Sequence, residues 1–81
     1  MATKPGDDQI AEEISRVVNS GQHWSLRVQR VRRKIAETES LIPRFEKSKD
    51  AAGRDYAERR LQALQKAEQD LLIEAAAGPH R

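Results

Sequence analysis

The sequence predicts an all-α protein, a short N-terminal helix followed by a long antiparallel helical hairpin of coiled-coil-like character. Three observations predict it. From Trp24 to Phe45 the apolar residues fall at Trp24, Val28, Val31, Ile35, Ile42 and Phe45, with Thr38 in the one remaining position. Steps of three and four lay these seven side chains along one stripe of a helix. A second run of the same period, Tyr56, Ala57, Leu61, Leu64, Ala67, Leu71, Leu72 and Ala75, follows a break around Gly53. Third, 35% of the residues are charged and only 4% are aromatic. That suits helices with solvated faces and leaves little for a sheet or a thick core.

Residues 1–6, with Pro5 and Gly6, read as a flexible N-terminal arm. Residues 7–77 then form one helical domain, the single domain that 81 residues accommodate. The first helix, about 8–20, starts from an Asp7 or Asp8 cap, with Glu12 and Glu13 near its positive end. Ile10, Ile14, Val17 and Val18 give it one apolar face, and Gly21 is placed to stop it. About three turns long, it is marginal alone and needs something to dock on.

The long second helix, about 24–50, opens at His23 to Ser25 and contains Pro43. Proline removes a donor and disfavours helical geometry at Ile42. Because the apolar stripe keeps its register through Phe45, a kinked, continuous helix is favoured over a split at Ser40. Gly53 is the expected left-handed stop. Asp55 and Glu58 are spaced as a capping box for the third helix, about 55–77. Arg54–Glu58 and Lys66–Asp70 are i,i+4 pairs along it. Gly78-Pro79 ends it, and 78–81 is tail. With a loop this short, the second and third helices run antiparallel. Tyr56 is placed to close the hairpin near Phe45, its hydroxyl at the wet rim.

The chemistry-bearing residues are sparse. The two histidines are His23 and His80, and there are no cysteines. No nucleophile–base pair, glycine-rich phosphate loop or metal-ligand spacing is present. The sequence therefore predicts no enzyme, no cofactor, no metal and no small-molecule substrate. No apolar run approaches the roughly 20 residues of a membrane span. Met1 to Gly6 lacks the apolar core of a secretory signal, so a cytoplasmic location is expected.

What remains is binding. A core this thin supplies about 3–5 kcal/mol, so a helical partner protein or a second copy is expected. The predicted partner-binding seam is Trp24, Val28, Val31, Ile35, Ile42, Phe45, Tyr56, Leu61, Leu64 and Leu71. Leu26, Leu41 and Ile73 lie off it and call for a further layer. The alternative is a small basic nucleic-acid-binding protein. Residues 22–50 carry eight Lys/Arg against four Asp/Glu, clustered at Arg27, Arg30, Arg32, Arg33 and Lys34. Arg27, Arg30, Arg33 and Lys34 could follow a phosphate backbone, with Trp24 stacked on a base. A self-associating structural bundle is the third reading.

From Leu26 to Leu72 the layout also resembles the small E-type cochaperones of bacterial type III secretion needles. The matching residues are Leu26-Arg27-Val28 through Lys34-Ile35, the loop around Gly53, then Tyr56, Leu61, Leu64, Ala67 and Leu71. The resemblance implies an adaptor that helps a helical-repeat chaperone keep a polymerising needle subunit soluble. By that carry-over Val28, Val31 and Ile35, with Leu61, Leu64 and Leu71, would be its binding residues. This chain departs from the pattern in its extra N-terminal helix, its longer segment before the loop, and Pro43.

Overall fold

The computed structural model describes residues 6–77, and the expected arm (1–5) and tail (78–81, including the Gly78-Pro79 stop) lie outside that range. Among the described residues there are three helices, α1 (Asp7–Val18), α2 (Trp24–Ser48) and α3 (Ala51–Ala76), and no strand. The protein is all-α.

The start of α1 differs from the expected one. Its N-cap is Gly6, at φ 89°, and neither aspartate caps the helix. Asp7 is drawn instead to Arg59 on α3, a stronger partner than a backbone amide. The helix ends at Val18, with Asn19 as its cap, two residues before the Gly21 turn (φ 82°). His23 then caps α2, its Nδ1 accepting from the Ser25 amide at 3.2 Å.

α2 runs unbroken through Pro43. The split reading is overturned. Pro43 is exposed, so water can serve the carbonyl that loses its donor. The stop is not Gly53 but Lys49, which takes the left-handed conformation at φ 59°. Its amide bonds the Glu46 carbonyl, and the Asp50 amide bonds the Phe45 carbonyl at 2.9 Å, the paired bonds of a Schellman ending. Asp50 immediately caps α3 through Gly53, 2.9 Å from amide to carboxylate. The third helix therefore starts four residues before the capping box at Asp55. Asp55 pairs with Arg59 instead.

Gly53 matters for space rather than backbone freedom. A Cβ there would lie 2.5 Å from the Phe45 ring, so its absence lets α2 and α3 close over the two-residue loop Lys49-Asp50. A left-handed lysine costs about 1 kcal/mol or more that glycine does not incur. Lys49→Gly is therefore expected to raise stability by about 1 kcal/mol, read as a higher urea midpoint with unchanged slope.

Later residues of α2 meet earlier residues of α3: Arg27 with Glu74, Arg32 with Glu68, Thr38 with Arg60, Glu46 with Arg54. α1 packs on both of these helices, while Leu26 and Ile73, two of the residues that call for a further layer, stay exposed. The core joins Val17 of α1, Val28 and Val31 of α2, and Leu64 and Leu71 of α3, flanked by Ile14, Val18 and Ile35.

Candidate functional site

The residues predicted to form a partner-binding seam separate into three groups. Val28, Val31, Leu64 and Leu71 are buried, and α1 covers them. Ile35, Ile42, Phe45, Tyr56 and Leu61 are half-buried. Trp24 is 39% exposed. It sits on the first turn of α2, where the bundle ends, and its ring lies 5.5 Å from that of His23. Tyr56 packs its ring against Gly6 at the start of α1, and Arg59 lies 5.9 Å from the ring centre.

The four cations proposed for a phosphate track also divide. Arg27 is structural: it donates to the carbonyls of Gln22 and Val18, both at 2.9 Å, and pairs with Glu74 at 3.5 Å. It thereby ties the end of α1 to the start of α2. Lys34 donates to Glu13 on α1 at 2.8 Å. Arg30 and Arg33 remain exposed, and among the described residues no carboxylate forms an ion pair with either of them.

Where Lys34 leads, the strongest electrostatic feature appears. Glu13 accepts from Lys34 and, through both oxygens, from Arg60 at 3.0 and 2.7 Å. Arg60 also donates to the hydroxyl of Thr38, which donates onward to the Lys34 carbonyl at 2.7 Å. This explains a fully buried threonine in an apolar stripe: its hydroxyl is satisfied on both sides. The Arg60 bond, assisted by Lys34, holds the Glu13 carboxyl down at about 2, against an ordinary 4.5. Glu13 in turn raises the pKa of Arg60. A carboxylate so firmly ionised is a poor proton donor or acceptor near neutral pH. Its chemistry is that of a clasp joining α1 to α2 and α3. Sequence reasoning read Glu13 only as a charge near a helix start, because its partners lie 21 and 47 residues away.

Among the described residues no cluster of His, Asp or Glu is arranged to hold a metal ion. No helix among them is long and apolar enough to cross a membrane.

An apolar groove lies between α1 and α3, lined by Ala11, Ile14, Val18, Ala63 and Ala67 and edged by the Lys66–Asp70 pair. Three of its lining residues are alanines. Other exposed apolar side chains stand where α2 begins and α3 finishes. Trp24 and Leu26 there are 39% and 46% exposed, and Leu72 and Ile73 are 38% and 67% exposed. Leu72 thus stands outside the core it was expected to join, a third of a turn round from buried Leu71. No known protein family, curated protein or solved structure matches this chain.

Proposed function

We propose that this chain is a non-enzymatic interaction module. In this reading α2 and α3 form an antiparallel, coiled-coil-like hairpin, α1 buttresses it, and a helix of a partner protein docks in the α1–α3 groove. The observation that carries the reading is the groove itself, lined by Ile14, Val18 and three alanines. Helix axes pack at 8–10 Å, and small residues in the lining permit that approach. A second copy fits less well. A two-fold interface brings the same patch against itself, and two concave grooves leave a void between them.

The needle-cochaperone reading is one version of this proposal, with a particular geometric demand. Val28, Val31, Leu64 and Leu71 already pack with Val17 of α1. A partner using them would have to replace α1, whereas a partner in the groove would leave α1 in place. A cytoplasmic setting accompanies either version.

The test is a pair of groove substitutions, Ala11→Arg and Ala63→Arg. Neither residue is buried, so melting temperature and helical circular dichroism should stay near wild type. Each should remove about tenfold or more of the affinity for a partner identified with the wild-type chain, measured in high salt. Apolar burial is not screened, so that complex should survive the salt. Equal binding by wild type and both variants would move the docking site elsewhere. A salt-resistant dimer of the chain alone, seen by light scattering, would replace the partner helix with a second copy.

A further inference from the structure

Each Lys or Arg on α1 and α3 faces a carboxylate. Arg16 pairs with Glu12, Arg54 with Glu46 and Glu58, Arg59 with Asp7 and Asp55, Arg60 with Glu13, and Lys66 with Asp70. On α2, Arg27, Arg32 and Lys34 are paired as well. Among the described residues the unpaired cations are Arg30, Arg33, Arg44 and Lys47, all on α2, with Lys49 at its cap. Every one is exposed.

These charges share one strip. At 100° per residue, Leu26, Arg30, Arg33, Glu37, Arg44 and Lys47 fall within about 100° of arc, opposite buried Val28 and Val31. From Leu26 to Lys47 the strip runs about 30 Å, at 1.5 Å per residue. It is a surface separate from the α1–α3 groove.

We propose that this strip of α2 docks an acidic amphipathic helix from a partner protein. Charge complementarity supports this: the strip carries four exposed cations, Arg30, Arg33, Arg44 and Lys47, against the single carboxylate of Glu37, so its net positive charge suits an acidic partner. A second copy is disfavoured on this face. Antiparallel pairing centred on Glu37 sets Arg30 against Arg44, and parallel in-register pairing sets each arginine against itself.

The strip is also not uniformly basic. Glu37 stands at its middle, where it repels a phosphodiester backbone and can be answered by a basic side chain of a protein. Leu26, 46% exposed, lies in a hollow with Gln22, Gln29, Arg30 and Arg33. An apolar spot edged by two guanidinium groups and two amides fits an apolar side chain flanked by carboxylates. A nucleic-acid backbone offers no such anchor.

The inference adds a second surface to the proposed module and stands or falls separately from the groove. Its test uses the full chain and a labelled, alanine-rich helical peptide whose one face carries a leucine flanked by glutamates. Fluorescence anisotropy should show binding at low salt. Arg30→Gln/Arg33→Gln and Arg30→Glu/Arg33→Glu should weaken it, the reversal by about tenfold or more. Leu26→Ser, or serine in place of the peptide's leucine, should weaken it several-fold. Ala63→Arg should leave it unchanged. Circular dichroism checks that each variant is folded, and the glutamine pair serves if the reversal is not. No binding by wild type, or binding indifferent to Arg30 and Arg33, overturns the proposal. So does single-stranded DNA that binds more tightly than the peptide with a steep salt dependence, which would make the strip a nucleic-acid surface.

Discussion

Leu64→Ala is expected to abolish most of the cooperative folding transition. Leu64 has no exposed surface and sits among Val17, Val28, Val31 and Leu71, side chains from all three helices. Truncating a buried leucine costs about 2–5 kcal/mol, the lost transfer energy plus the void left behind. A scaffold of this size holds only about 3–5 kcal/mol in its core. The two quantities overlap, so one substitution can consume the whole margin. Urea titration followed by circular dichroism should show a midpoint near zero denaturant, or a broad, uncooperative loss of signal. Ile73→Ala is the control, since that side chain is 67% exposed and should change stability by about 0.5 kcal/mol or less. If the two variants melted alike, the three-helix core would be wrongly assigned.

The inward position of Leu64 is legible in the sequence. Period alone places Val28, Val31, Leu64 and Leu71 on inward faces, because a helix turns by a fixed angle per residue whatever surrounds it. The same rule carried α2 through Pro43: a helix that broke there would have thrown Phe45 off the stripe. Period does not say where a face docks. Ile10, Ile14 and Val17 announce that α1 must bury something, but only the fold shows it lying over the α2–α3 seam. That covering is why four predicted partner-binding residues are core. Helix termini are less legible, because capping is a contest among nearby groups. Asp7 found Arg59, Asp50 reached Gly53 before Asp55 could act, and Lys49 took a left-handed conformation that composition would assign to glycine.

Long-range polar pairing was not legible at all, and it carries the second large prediction. Glu13 holds α1 to Lys34 and Arg60, and its pKa of about 2 lies well below the ordinary 4.5. Because the folded value is the lower one, the clasp stabilises the fold fully above about pH 4.5. That contribution is lost as pH falls from there through about 2. The gap in pKa sets a ceiling of about 3 kcal/mol. Glu13 keeps 29% of its side chain exposed, so solvent screening brings the expected effect to about 1–2 kcal/mol. Glu13→Gln keeps the shape and removes the charge. Wild type should therefore exceed the variant in urea stability by that amount near neutral pH. The difference should shrink below pH 4.5 and nearly vanish close to pH 2. Other paired carboxylates titrate in both proteins and cancel in the comparison. A difference that stayed constant across the acid range would mean that the Glu13 charge contributes nothing, and that α1 is held to the hairpin by its apolar face alone.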